Sequence, residues 1–402
     1  MTPEEFNQLL AEHLEKYTPF LGRKELYPHM AAAIKGRLSD LERKSNEPIA
    51  LAFEGPAEVR NLSNFMTRSP FDDAGMLKVC QKELGSILFH PEGMIAGEEY
   101  DFLKKGSNSV GIARQYCGRL GKKENCQVSV MTGFAGPEGY GILDCGLFMP
   151  EIWFEDARSI LREKCRVPQD LEFASKSQIL SKMITKTVSS GIFRGKYAGI
   201  GLSFGGDQTL LDSLPENLIY YAEVPGSYLL FPGRPGRTAS NGRRLGRIPA
   251  GGLSVNPQKV QDMAADSNVP WDQAVPFLGT EFPAIAADKC LKAAEVRNGI
   301  PGRGIWLHAK KLKDGSIKYA LCSESMDASP GLIRIPALMR GLIEQCLKEC
   351  KEYLGLEHYE VRTWPAWRRH MLFTLIAHLF LVKLRRRAGL RPNFPGPAPL
   401  EF

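Results

Sequence analysis

Residues 97–148 read GEEYDFLKKGSNSVGIARQYCGRLGKKENCQVSVMTGFAGPEGYGILDCGLF. Two adjacent carboxylates, Glu98 and Glu99, stand ahead of a Lys-Lys-Gly turn. Three short alternating runs follow: SVGIARQYC (109–117), CQVSVMTGFAG (126–136) and YGILDCGLFMP (140–150). Alternation marks half-buried strands, and the Pro-Glu-Gly turn at 137–139 joins the last two, so the stretch predicts an antiparallel meander.

On the N-terminal side, residues 1–88 predict helices. TPEEFNQLLAEHLEKY (2–17) opens on Thr2 with Glu5 three residues later, a capping-box pattern, and DAGMLKVCQKELGSIL (73–88) repeats the helical apolar spacing. On the C-terminal side, helical patterns at 151–165 and 176–191 precede a buried strand YAGIGLSF (197–204). A short helix DQTLLDSLP (207–215) and a strand LIYYAEVP (218–225) come next. A meander followed by alternating helix and strand implies a mixed α/β sheet.

Residues 231–255 interrupt this order with glycine, proline and arginines 234, 237, 243, 244 and 247, and no acid. Such a loop is either a solvated linker or an arm that contacts phosphates with strong salt dependence. Two strands, GRGIWLHAKKL (302–312) and IKYALCSES (317–325), predict a β-rich insertion. A helix from Pro336 through residue 355 and an apolar helix over 364–387 follow, and a Pro-rich tail ends the chain. The expected organisation is an N-terminal helical domain (1–88), a first core part (89–230), the basic loop and β-rich insertion (231–326), C-terminal core helices (327–388) and a tail (389–402).

The 402 residues are 43% hydrophobic and 24% charged with a net charge of +7, ordinary globular composition with room for two or three domains. The start MTPEEFNQLL has no signal-peptide character, and the longest apolar run, 371–382, is too short to span a bilayer, so a cytoplasmic location is expected. Nine cysteines without a CxxC pair predict reduced, mostly buried thiols. Cys346 and Cys350, four apart, meet on one helix face; two ligands do not make a zinc site, and core packing is the simpler reading. On the same helix Arg340, Glu344 and Lys351 form one stripe, a pattern shared by solvated helix faces and by helices that present a carboxylate to a metal. Trp364 and Trp367, beside Arg368 and Arg369, are read as core anchors ahead of base-stacking residues.

The segments FLKKGSNSVGIARQYCGRLGKKENCQVSV (102–130) and IEQCLKECKEYLGLEHYEVRTW (343–364) closely resemble two hallmark segments of DDE-type insertion-sequence transposases. LSNFMTRSPFDDAGML (62–77) and GLSFGGDQTLLDSLPENLIYYAEVP (201–225) extend the resemblance over most of the chain. It implies an RNase H-like mixed sheet, double-stranded DNA as partner, a homodimer, and a prokaryotic, nucleoid-associated setting. It also implies Mg²⁺ or Mn²⁺ held by Asp, Asp and Glu for in-line phosphodiester displacement.

Carried over position by position, Glu344 stands at the family's glutamate, with Arg340 four before and Lys351 seven after, while Ala337 and Gly341 replace a tyrosine and a tryptophan common there. Glu98 replaces the first aspartate, lengthening the side chain by one methylene, and Tyr100 fills a spot where a small residue is usual. The second aspartate falls on Gly201 or Leu202, neither a ligand, and Asp207, the nearest carboxylate, reads as a helix-start acid. The implied catalytic residues are therefore Glu98 and Glu344, with Asp207 as a possible third metal ligand. The implied DNA contacts are Lys104, Lys105, Arg234, Arg237, Arg243, Arg244, Arg340 and Lys351. The expectation is a DNA-binding protein of transposase descent with weakened or lost cleavage. The alternatives are an active transposase with an unconventional ligand and a protein-interaction subunit of a larger assembly.

Overall fold

The computed structural model describes residues 2–233, 256–273, 285–323, 325 and 330–390. In chain order the elements are α1 (Pro3–Glu15), α2 (Tyr27–Leu38), α3 (Asn46–Phe53), α4 (Val59–Thr67), α5 (Asp73–Leu88), β1 (Met94–Leu103), β2 (Ala113–Cys117), β3 (Lys122–Gly136), β4 (Gly139–Phe148), α6 (Ser159–Lys164) and α7 (Lys176–Ser189). Then come β5 (Tyr197–Ile200), α8 (Gln208–Asp212), β6 (Ile219–Val224), β7 (Leu229–Pro232), β8 (Gln258–Lys259), α9 (Val260–Ala265), β9 (Asp272–Gln273), β10 (Ile285–Arg297), β11 (Ile300–Leu312), β12 (Ile317–Ser323), α10 (Pro330–Glu352) and α11 (Trp364–Arg387). They form two compact units, one from residues 1–195 with 342–392 and the other from residues 196–341, the unit boundary falling inside α10.

In the first unit the antiparallel meander is present. The long strand β3 carries β1 along one edge, and β2 and β4 succeed one another along the other, so that Cys126 pairs with both Leu103 and Ala113. Local chemistry fixes the helix starts. Thr2 and Glu5 form the reciprocal capping box of α1, Ser175 and Gln178 that of α7, and the Asp72 carboxylate accepts from the Gly75 amide to start α5.

Helix α11 is buried along nearly its whole length. Phe373 stacks on Phe65 at 5.8 Å between centroids, and polar groups are buried against α11: His13 meets the Ile376 carbonyl at 3.1 Å, and the Arg37 guanidinium meets His370 Nδ1 at 2.9 Å. Burial lowers the Arg37 pKa to about 9. Trp367 is buried as a core anchor.

In the second unit β5 runs parallel to β6, and β6, β12, β11, β10, β7 and β8 continue the sheet antiparallel, with β9 at the start of β10. Strand β10 went unread in the sequence although its signal is there. Asn298 and Gly299, both at positive φ, make the two-residue turn to β11 that an Asn-Gly pair favours. A second difference lies in α10, which starts at Pro330 and carries Pro336 in its interior. Pro330 supplies the preset φ of a helix start, so Pro336 costs one amide hydrogen bond without ending the helix. The arginines at 234, 237, 243, 244 and 247, and the tail from 391, lie outside the described residues.

Candidate active site

Period-two alternation along β1 sends Glu98 and Glu99 to opposite faces of the meander. On one face, the position a Cβ of Gly97 would take meets Leu180 of α7, and the Glu99 carboxylate pairs with Lys176 at 2.9 Å. Burial raises the Glu99 pKa, and Lys176 only partly offsets it. Glu99 is thus spent on holding α7. On the other face, Gly133 stands opposite Ala96, and a Cβ on Gly133 would lie 2.8 Å from Ile343 Cδ1 of α10. Helix α10 therefore covers the face that bears Ala96, Glu98 and Tyr100. Glu344 is the next residue on that helix, and both Glu98 and Glu344 are partly exposed.

Tyr100 is accommodated by a partner of its own. Its hydroxyl donates to Glu357 at 2.7 Å; Arg119 reaches the same carboxylate oxygen at 2.6 Å and Lys351 lies 3.7 Å from it. Burial first, then the Glu357 bond, pushes the Tyr100 phenol upward. Lys104 turns inward, its ammonium 3.3 Å from the Tyr359 ring centroid and donating to the Tyr359 carbonyl at 3.0 Å. Burial lowers its pKa to about 8 against the pull of Glu357 and Glu360. Lys105, one residue on, is exposed.

The segment expected to carry the second aspartate belongs to the other unit. β5 ends at Ile200; Gly201 is buried, its carbonyl accepting from Phe204 and Gly205 amides, and Leu202 is 56% exposed. The tightness of this turn is set by Gly205, where a Cβ would overlap the backbone carbonyl of Glu223. Asp207 caps α8, its carboxylate accepting from the Leu210 amide at 3.1 Å.

One acid here was not singled out from sequence. The parallel register Ile200↔Ala222 places Glu223 of β6 beside Gly201. The Glu223 carboxylate is buried, 2.9 Å from Lys310 and 3.4 Å from Arg340. Arg340, expected on a stripe with Glu344 and Lys351, is only 1% exposed. Spacing on a helix does not say which turn faces the core, and Arg340 faces Glu223.

The C-terminal basic group is likewise engaged within the protein. Arg369 donates to the carbonyls of Phe65, Met66 and Ser69, Lys383 pairs with Glu83 at 2.8 Å, Arg385 with Glu349 at 2.9 Å and Arg386 with Glu138 at 3.1 Å.

Two metal ions on a phosphodiester need hard oxygen donors from at least three directions. Glu98 and Glu344 offer two carboxylates, and the end of β5 offers a glycine and a leucine. Among the described residues, these groups do not make up the ligand set of a two-ion centre.

The family described as DDE superfamily endonuclease matches residues 16–275. A probable transposase for insertion sequence element IS701 from Microchaete diplosiphon is 29% identical over 156 residues, a match that covers 39% of this chain and 37% of that protein. Among solved structures, the NurA nuclease from Sulfolobus solfataricus aligns over 79% of this chain and 91% of its own at 9% identity, with a TM-score of 0.26. No helix among the described residues is long and apolar enough to cross a membrane.

Proposed function

The chain belongs to the DDE superfamily endonucleases, an RNase H-like family that generally uses divalent metal ions, and from that premise we propose that it is a DNA-binding protein of transposase lineage whose strand cleavage and joining is weakened or lost. The observation that carries this reading is the end of β5. By the family resemblance Gly201 or Leu202 takes the place of the second aspartate; Asp207 caps α8, and Glu223 is paired with Lys310 and Arg340. Positioning and charge stabilisation supply most of the rate in phosphoryl transfer, so loss of one metal-ligating acid should cost several orders of magnitude.

Binding is the function that outlasts such a loss, because phosphate contacts depend on cations and not on the acids. Lys105 and Lys351, together with arginines 234, 237, 243 and 244, are the contacts we assign to double-stranded DNA. Lys104 and Arg340 serve the fold. A homodimer in a bacterial cytoplasm, associated with the nucleoid, is the setting that goes with this assignment.

The test is strand cleavage of supercoiled plasmid and candidate element ends with Mg²⁺ and Mn²⁺, with binding measured in parallel for wild type and Glu344→Ala. Salt-dependent binding by both proteins with cleavage by neither is the expected result. A second reading, an active transposase using Glu98 and Glu344 with Asp207, is favoured by Glu98 standing on the strand face that α10 covers and Glu344 on that helix; cleavage by wild type and none by the variant would establish it. Failure of both proteins to bind DNA would point to a protein-interaction subunit.

A further inference from the structure

Cys346 and Cys350 lie one turn apart on α10, and the fold brings His378 of α11 against them. All three are buried, their ligand atoms lie within 4.8 Å of one another, and Cys346 Sγ is 3.3 Å from His378 Nε2. A fourth donor stands beside them: Glu349 Oε2 is 3.8 Å from the same His378 nitrogen. That oxygen is 2.9 Å from Arg385 but receives no hydrogen bond of good geometry, while Oε1 accepts from the Tyr140 hydroxyl at 2.7 Å. In a tetrahedral zinc site, bond lengths of about 2.3 Å to sulfur and about 2.0 Å to nitrogen or oxygen put neighbouring ligand atoms roughly 3.3–3.8 Å apart. Cys346, Cys350 and His378 already lie near that spacing, and the Glu349 carboxylate, outside their 4.8 Å group, turns in from its place 3.8 Å from His378.

We propose that Cys346, Cys350, His378 and Glu349 form a structural site for Zn²⁺, fastening α10 to α11 within the first unit. The donor set selects the ion: two thiolates and an imidazole suit a soft to borderline d¹⁰ cation and exclude Mg²⁺ and Ca²⁺. Charge closes as well. One Zn²⁺, two thiolates, one carboxylate and the Arg385 guanidinium sum to zero, as a buried site requires. On binding, each thiol sulfur bonds the ion and gives its proton to solvent, so about two protons leave per ion. Arg385 and Tyr140 orient Glu349 from outside the ligand set, the usual arrangement around a zinc carboxylate.

The experiment uses the full chain, stripped of metal under reducing conditions and titrated with Zn²⁺ and with Co²⁺ as its spectroscopic substitute. The expected result is one ion per chain, a thiolate-to-Co²⁺ charge-transfer band and release of about two protons. Affinity should fall at least 100-fold in both Cys350→Ser and His378→Gln. Cys165→Ser, whose sulfur sits 3.4 Å from the Asn108 carbonyl away from the cluster, should bind as wild type does. If the ligand variants fail to fold, Cys117→Ser decides: the band should persist in it, and its loss would overturn the proposal by placing the ion at the other buried cysteine pair. Absence of the charge-transfer band overturns the proposal. So does stoichiometric binding that persists in both folded variants, which would place the ion at the buried Asp101, Cys117 and Cys126 group.

Discussion

The guanidinium of Arg340 lies 3.4 Å from the carboxylate of Glu223, with both side chains buried and Lys310 on the other carboxylate oxygen at 2.9 Å. Removing one member of such a group leaves an uncompensated buried charge. Glu223→Gln should therefore cost about 3 kcal/mol in urea unfolding and should hardly respond to added salt. A loss below about 1 kcal/mol would mean the group is hydrated and behaves as a surface pair.

Restoring an acid at the end of β5 tests the proposed loss of cleavage. Gly201→Asp or Leu202→Asp should raise Mn²⁺-dependent nicking at least tenfold over wild type, and adding Glu344→Ala should abolish the gain. Plasmid nicking measures both. No gain in either variant, with folding intact, would place the defect in Glu98 or in the surrounding geometry.

Adjacent glycines give a backbone test. At Gly205 an added methyl meets the backbone of Glu223, which cannot give way, whereas at Gly206 it meets only the Tyr228 ring at 3.1 Å. Gly205→Ala should cost about 3 kcal/mol and Gly206→Ala less than about 1 kcal/mol, as overpacking against rigid and yielding neighbours does. Equal losses would remove the distinction.

Neighbouring lysines separate DNA contact from folding. Lys105 is exposed, whereas Lys104 lies over Tyr359. Lys105→Ala should lower the slope of log affinity against log salt by about 1, and Lys104→Met should leave it unchanged while lowering the melting temperature. An unchanged slope for Lys105→Ala would remove it from the interface.

Stability should fall on the acid side of neutrality. Burial, with Lys383 adding to it, lowers the His13 pKa from 6.5 to about 4, so the unfolded chain binds more protons between those values and stability drops as pH falls from 6.5. Urea unfolding from pH 7 to 4 should show this decline, and His13→Gln should flatten its upper part.

The sequence by itself determined the meander, the helix starts and the family. Alternation, capping pairs and turn residues act over two to four residues, and such short-range chemistry is legible in a string of letters. It also carried the Asn298-Gly299 turn that opens the β10–β11 hairpin, a signal as local as the rest although β10 was not read from it.

Only the tertiary structure decided which charges meet. Helical spacing grouped Arg340 with Glu344 and Lys351, but packing turned Arg340 to Glu223, a residue 117 positions away in sequence. Lys104 and Lys105 are indistinguishable as letters and differ in whether the turn points them at Tyr359. His378 reaches Cys346 across 32 residues because the fold brings α11 against α10 there, adding an imidazole to a pair of core cysteines. The physical reason is common to all three. Burial makes a polar group find a partner, and the partner is chosen by proximity in space, which sequence separation does not encode.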